Sequence, residues 1–187
     1  DDSRYEIVTD AAALQSWIDR AYERGHLALD TETTGLDEMV ADLVGFCLCI
    51  DAGHACYVPV GHKAEDGGEG LFASDTLADG QMPLNTALDM LKPLLEDASV
   101  LKIGQNMKYD AKILRRYGIT VAPYDDTMLI SYALNAGLHN HGMDALSERY
   151  LGHTPIPIKE LIGSGKSQIT FDRVAIDKAA KYAAEDA

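Results

Sequence analysis

Hydrophobic and polar positions in the first sixty residues repeat with two different periods. Residues 5–8 form a short strand-like run, whereas residues 10–24 place apolar side chains three and four positions apart, which predicts an amphipathic helix. Short apolar runs at 26–32, 43–51 and 54–60 predict three consecutive strands. The 43–51 run is apolar on both faces, so it is expected in the middle of a sheet that is covered on each side. Three contiguous strands with no helix between them favour an antiparallel meander.

The remainder of the chain begins with a Gly- and Asp-rich stretch at 61–82 that has no period and predicts a long surface loop. The pattern then predicts helix 84–96, strand 99–103, helix 105–117, a strand near 119–122, helices 126–136 and 143–151, an extended stretch at Pro155 and Pro157, a loop at 163–166, and a final helix 172–186 capped by Asp172. Strands followed by alternating helices and strands predict an α/β fold with a mixed sheet and helices on both faces.

Length and composition favour one domain spanning residues 1–187, because the chain has 187 residues, is 47% hydrophobic and contains no internal repeat. No stretch approaches the roughly 20 apolar residues that a membrane-spanning helix needs, and no signal-peptide pattern opens the sequence. Cys47, Cys49 and Cys56 are an odd number of cysteines in apolar strand-like segments. A disulfide framework and a zinc site are therefore both disfavoured, and a reducing compartment is expected.

Acidic residues occur in four places where a metal site would need them. Asp30 and Glu32 end an apolar run, and their spacing puts both carboxylates on one face of a strand. Asp110 lies on a predicted helix, and Tyr182 and Asp186 are four residues apart on another. Carboxylates gathered from a strand and two helices repel one another unless cations neutralise them, and hard divalent cations prefer oxygen ligands. With 30 Asp and Glu residues in the chain, each acid taken alone is better explained as a solvated surface residue.

The motifs that contain these acids fit one pattern in one order. DTETTGL, GQNMKYD and YAAED resemble the three exonuclease motifs of the DEDD superfamily in its tyrosine-containing branch. The closest similarity is to the proofreading 3′→5′ exonuclease domain of bacterial family A DNA polymerases (the DNA polymerase I family). LVGFCLCID, YVPVGH and MDALSERYLG also resemble segments of that family, so the resemblance covers nearly the whole chain. It implies a ribonuclease H-like fold.

The resemblance also implies a two-metal site. The counterparts of Asp30, Glu32 and Asp186 hold one divalent cation, and the counterpart of Asp30 bridges to the second, on which Asp110 acts largely through water. Mg²⁺ is the expected ion, with Mn²⁺ and Zn²⁺ as alternatives. Tyr182 is expected to orient the attacking water, because an ordinary tyrosine pKa near 10 makes a poor base at neutral pH.

Substrate contacts follow from the same resemblance. Thr33, Leu36, Gln105, Asn106 and Tyr109 match positions that meet the terminal nucleotides of a single-stranded DNA 3′ end. Such stacking and backbone contacts tolerate any sequence, as proofreading requires.

The chain departs from the family at two positions. Ile158 and Asn140 stand where some relatives carry an aromatic residue and an arginine, which predicts a weaker grip on the single strand. His139, His141 and His153 have no ligand-like spacing with the acids and are interpreted as polar loop residues.

The net charge of −14 conflicts with the basic surface that nucleic-acid-binding proteins usually carry. Bound cations and a polymerase domain of the same parent chain, both implied by the resemblance, would resolve the conflict. We therefore expect a monomeric domain of a bacterial cytoplasmic polymerase that binds DNA weakly alone. Two alternatives stay open: an RNase D-like RNA 3′ exonuclease, and a catalytically silent structural domain of a polymerase.

Overall fold

A computed structural model describes residues 3–64 and 76–187. Its six-stranded sheet has the order β1-β4-β3-β2-β5-β6. The strands are β1 (Arg4–Ile7), β2 (His26–Thr33), β3 (Leu43–Asp51), β4 (His54–Pro59), β5 (Leu101–Gly104) and β6 (Tyr124–Asp126). The pairs β2–β3 and β3–β4 are antiparallel, whereas β1–β4, β2–β5 and β5–β6 are parallel. The predicted mixed sheet, with an antiparallel meander at its centre, is confirmed.

Seven α-helices accompany the sheet in the described part of the chain. They are α1 (Ala11–Arg24), α2 (Leu84–Glu96), α3 (Met107–Arg116), α4 (Thr127–Asn135), α5 (Met143–Leu151), α6 (Ile158–Ile162) and α7 (Ile176–Asp186). Asp10 caps α1 by accepting a hydrogen bond from the Ala13 N–H, and Gly25 ends the helix in the left-handed conformation. The short helix α6 was not predicted; it begins directly after Pro157, whose fixed φ suits the entry to a helix.

Each face of the sheet buries its own hydrophobic cluster. On one face, α1, α2 and α3 pack on the side chains of β2, β3 and β4 that include Leu29, Phe46 and Val58. On the other face, α7 crosses the strands and packs on Cys47 and Tyr57. Helices therefore cover both faces, and β3 is buried on each side as its apolar pattern predicts.

The strand predicted at 119–122 is wrong. Ile119 and Val121 are buried, but the backbone of this segment bonds to helices instead of the sheet: the Ile119 N–H donates to Leu114 O and the Ala122 N–H to Leu95 O. Backbone bonding to β5 starts at Pro123, whose carbonyl oxygen accepts from the Lys102 N–H, and β6 begins at the next residue. The apolar residues of this segment are buried against helices. Their alternation with less buried residues would also fit a strand.

The predicted start of the last helix is also wrong. Residues Phe171–Arg173 form a single 3₁₀ turn, and α7 begins at Ile176. Asp172 is buried and does not cap the helix. Burial of Phe171 and Val174 in the α7 cluster explains the separate turn, because both side chains must point at the sheet.

The loop predicted at 61–82 is described at its two ends. These ends pair through an antiparallel bridge between Lys63 and Leu77, while residues 65–75 lie outside the described residues. All three cysteines are free, as predicted. Among residues 3–64 and 76–187, no helix has the length and apolar character needed to cross a membrane.

Candidate active site

Strand β2 divides its side chains between the two faces of the sheet. Leu27, Leu29 and Thr31 are buried on the α1 side, so the alternation of the strand turns Asp30 and Glu32 to the opposite side, where α7 packs. Four buried alanines of α7 lie against the sheet: Ala179, Ala180, Ala183 and Ala184. These small side chains allow close approach of the helix.

Asp110 reaches the site from the first turn of α3. Its Oδ1 accepts hydrogen bonds from the Thr31 N–H at 3.0 Å and from the Thr31 hydroxyl at 2.5 Å. Because β2 and β5 are parallel neighbours, the start of α3 follows β5 beside the end of β2. Gly104 makes this junction possible, since a Cβ there would lie 3.0 Å from the Leu29 carbonyl oxygen. Asp110 is thus fixed directly to the residue between Asp30 and Glu32.

The pKa values of the four acids are all raised by burial, and those of Asp30 and Glu32 are raised further by the charges of the other site acids. Burial and the charges of Asp110 and Asp186 raise the pKa of Asp30 well above its usual value. Burial, Asp30 and Asp186 raise the pKa of Glu32 in the same way. Burial raises the pKa of Asp110 to about 6 and that of Asp186 to about 7. The structure therefore gathers the acids from β2, α3 and α7 into one electrostatic cluster.

The side chains of this cluster are chemically suited to bind a hard divalent cation. Four carboxylates offer only oxygen ligands, and their mutual repulsion is relieved by a cation or by protons. Within the described residues, however, no three Asp, Glu, His or Cys side chains are arranged to hold one ion as they stand. One of the acids, Asp110, instead accepts hydrogen bonds from Thr31. The metal site thus remains a prediction.

Tyr182 lies next to the acids at the end of α7. Burial and the charge of Asp186 raise its pKa. The ring packs on Phe171, with 6.0 Å between the ring centroids. Tyr182 therefore keeps its proton at neutral pH and acts as a hydrogen-bond donor.

Three of the predicted substrate residues lie beside the end of β2. The carbonyl oxygen of Gly35 accepts hydrogen bonds from the hydroxyls of Thr33 at 2.9 Å and of Tyr109 at 2.5 Å. These bonds hold the turn that follows β2 against α3. Leu36, the next residue, is 94% exposed, so its side chain is free to contact another molecule.

Gln105 and Asn106 join β5 to α3. The Gln105 side chain donates to the carbonyl oxygen of His141 at 2.8 Å, which ties this junction to the segment before α5. The interpretation of His141 as a polar loop residue is wrong in part: it is buried, hydrogen-bonds to the Ser131 hydroxyl at 2.7 Å and stacks on Tyr132. Its role is to hold the 139–142 segment on α4.

A cleft of about 550 Å³ opens beside Asp30 and Asp186. Its other walls come from β5, α4 and α5, and its lining is mainly apolar, including Ile130, Leu146 and Tyr150. A concave apolar space with a few polar groups at one end is typical of a binding site.

Two residues beneath Glu32 were missed by the sequence analysis. Tyr57 and His62 are buried and hydrogen-bonded to each other at 2.7 Å, and the His62 ring also donates from Nδ1 to the Val174 carbonyl oxygen at 2.9 Å. Gly45, which pairs with Glu32, leaves room for the Tyr57 ring, because a Cβ would lie 2.2 Å from its hydroxyl. The YVPVGH segment begins with Tyr57 and ends with His62, but nothing in its spacing indicates this contact.

Comparison with known proteins decides the family. Residues 5–187 match the model of a 3′–5′ exonuclease family. The chain belongs to this family. Its relatives include the DNA polymerase I of Rhizobium leguminosarum, which is 53% identical over 196 residues, and that of Pseudomonas aeruginosa, 39% identical over 186 residues. The matches cover 100% and 98% of this exonuclease domain and 19% of each relative, so the chain spans about a fifth of their length.

Solved structures confirm the fold of the exonuclease domain. Escherichia coli RNase D superposes with a TM-score of 0.67 at 20% identity, over 98% of this chain and 41% of that one. Brucella melitensis NrnC with bound Mg²⁺ gives a TM-score of 0.63 at 20% identity, over 97% and 72% of the two chains. The predicted ribonuclease H-like fold is therefore correct.

Proposed function

We propose that this exonuclease domain removes nucleotides from single-stranded or frayed DNA 3′ ends with the help of two divalent cations. Asp30, Glu32, Asp110 and Asp186 are the proposed metal ligands, and Tyr182 orients the attacking water. Mg²⁺ is the proposed ion, with Mn²⁺ or Zn²⁺ as alternatives.

The main support for this proposal is the electrostatic repulsion of Asp30 on β2 by the acids on α3 and α7. The pKa of Asp30 is raised by burial and by Asp110 and Asp186, which come from α3 and α7. Four carboxylates held together in this way cost free energy when ionised, unless a counter-charge is present. A bound divalent cation would offset that cost and keep the acids ionised at neutral pH.

The residues divide the chemistry between them. When bound, divalent cations lower the pKa of water and offset the charge that develops on the leaving 3′ oxygen. Tyr182 keeps its proton, because burial and Asp186 raise its pKa, so it can donate to and accept from a water that it positions. Thr31 fixes the direction of the Asp110 carboxylate through two hydrogen bonds.

Five residues are proposed to bind the terminal nucleotides: Thr33, Leu36, Gln105, Asn106 and Tyr109. The exposed Leu36 can pack against a base, and the hydroxyls of Thr33 and Tyr109 lie 2.5 Å apart beside it, at the turn after β2. Contacts with base faces do not discriminate between sequences. A frayed end enters such a site more readily, because less stacking has to be broken.

The longer relatives support a parent chain that also contains a polymerase domain. We propose that this domain supplies the basic surface that the present chain, with its net charge of −14, does not provide. The domain alone should therefore bind DNA weakly and act as a monomer, and the bacterial relatives favour a cytoplasmic parent protein.

The test compares 5′-labelled DNA and RNA strands of equal sequence in Mg²⁺, with a third DNA strand whose 3′ end is blocked by a terminal phosphorothioate linkage. We expect stepwise shortening of free DNA and protection of the blocked strand. Faster hydrolysis of RNA would favour the RNase D-like alternative. Intact DNA and RNA at saturating metal would favour a silent structural domain.

A further inference from the structure

Asn106 adopts a backbone conformation that few residues tolerate. Its φ of 57° and ψ of 41° lie in the left-handed region, and it is the one non-glycine residue with positive φ among residues 3–64 and 76–187. Asn106 directly precedes α3 but makes no side-chain capping bond to it. Asparagine enters this region more easily than most residues, yet the conformation still has to be held by its surroundings.

Asp126 holds Asn106 in this conformation. Its Oδ1 accepts a hydrogen bond from the Asn106 N–H at 3.0 Å, across twenty positions of sequence. The same oxygen accepts from the Met128 and Leu129 N–H groups at 2.9 and 3.3 Å, which caps α4. Asp126 is 5% exposed, so a lost bond here would not be replaced readily by water.

The Asn106 turn decides where α3 starts, and α3 carries Asp110. The helix is therefore fixed at two points one turn apart: Asp126 holds Asn106, and Thr31 holds the Asp110 carboxylate. The two acids are also close enough that the charge of Asp126 raises the pKa of Asp110. Loss of the bond between Asn106 and Asp126 would let α3 rotate or slide and move Asp110 away from Asp30.

We propose that Asp126 is a positioning residue for the exonuclease site: by fixing Asn106 it sets the place of Asp110. This inference rests on the proposed function, since it assumes that Asp110 acts on bound metal. It requires the acceptor oxygen of Asp126 and not its charge. An asparagine at this position keeps the acceptor, and a serine keeps the α4 cap but is too short to serve both helices.

The experiment measures Mn²⁺ binding by calorimetry and 3′→5′ hydrolysis of a DNA strand for the wild-type chain and for D126N, D126S and D125S. Asp125 is an exposed acid in the same strand, so D125S is the matched control. We expect D126S to weaken Mn²⁺ binding and to lower kcat, each by about 10- to 100-fold. D126N and D125S should stay within about threefold of wild type, because each keeps the bond to Asn106.

Thermal melting shows whether each variant is folded. A folded D126S with wild-type Mn²⁺ affinity and kcat would overturn the proposal, as would a D126N as impaired as D126S. If D126S does not fold, D126N still decides: wild-type binding supports the hydrogen-bond role and a tenfold loss refutes it. A wild-type chain that neither binds Mn²⁺ nor degrades DNA would instead refute the proposed function.

Discussion

Two regions around the candidate active site and its cleft are built differently. The first, which we call the floor, consists of β2, α3 and α7 and carries the acids; α7 alone buries four alanines against the sheet. The second, which we call the wall, consists of α4 and α5. Only Ser131 of α4 and no residue of α5 is buried, while Leu134 and Leu151 are 74% and 78% exposed.

The difference follows from what each region has to do. Carboxylates can share ions only if their spacing is fixed, and close packing of the floor provides that precision. Apolar side chains of the wall remain open, so they are available to nucleotide bases or to another part of a longer chain. Substitutions in the floor should therefore act on the chemical step, and those in the wall on binding.

The largest effect is expected from Asp30→Ala. Asp30 interacts with both Asp110 and Asp186, so its loss should lower the Mg²⁺-dependent hydrolysis rate by about a thousandfold. The measurement is single-turnover hydrolysis of a DNA strand, with the exposed Asp89→Ala on α2 as the matched control. Thermal melting should show both variants folded. A rate near that of wild type in a folded Asp30→Ala protein would remove Asp30 from the site.

Tyr182→Phe should have the next largest effect. It removes the hydroxyl that is proposed to position the attacking water, while the ring can still pack on Phe171. We expect kcat to fall by about 10- to 100-fold with little change in the affinity for DNA. Steady-state kinetics and fluorescence anisotropy in Ca²⁺ separate the two quantities. An unchanged kcat would leave Tyr182 with a packing role alone.

A wall substitution should show the opposite behaviour. Tyr150 lines the cleft and is 58% exposed. Tyr150→Ala should raise KM by about 5- to 10-fold, because a stacking surface is lost, with kcat nearly unchanged. Tyr22→Ala, which removes a half-exposed tyrosine from α1 on the other side of the sheet, should change neither. A fall in kcat for Tyr150→Ala would break the distinction between floor and wall.

The smallest effect is on stability in the absence of metal. The folded-state pKa values of Asp110 and Asp186, about 6 and about 7, lie above the usual value of 3.8. The folded protein therefore binds more protons than the unfolded chain between about pH 4 and pH 7, and its free energy of unfolding falls as pH rises through that range. Asp186→Asn should reduce this fall by about 1–3 kcal/mol, which corresponds to several degrees in Tm.

Melting curves in EDTA at pH 5 and pH 8 check this prediction. Added Mg²⁺ should stabilise the wild-type domain more at pH 8 than at pH 5, because ligation requires ionised carboxylates. An equal pH dependence for wild type and Asp186→Asn would show that burial does not raise the pKa of Asp186 in the folded chain.

The floor was largely predictable from the sequence, whereas the contacts that support it were not. Asp30 and Glu32 share a face because a strand alternates, and Tyr182 and Asp186 lie together because a helix turn spans four residues. The bond between Asn106 and Asp126 depends on how β5 and β6 pair, which no local pattern reveals.

The two errors in the predicted secondary structure lie in segments that are buried but do not form the predicted strand or helix. The segment at 119–122 is apolar because helices α2 and α3 cover it, and the same pattern would fit a strand. Asp172 resembles a helix cap in sequence, but burial of Phe171 and Val174 delays the helix to Ile176. Both errors arise where tertiary packing overrides the local signal.

Anomalous diffraction from crystals of this chain soaked in Mn²⁺ would locate bound ions without reference to activity. If the four acids hold two cations, two peaks about 3.5–4 Å apart are expected. They should lie among the carboxylates of Asp30, Glu32, Asp110 and Asp186. Well-ordered crystals with ions only elsewhere, and none at these four side chains, would contradict the proposed two-metal site.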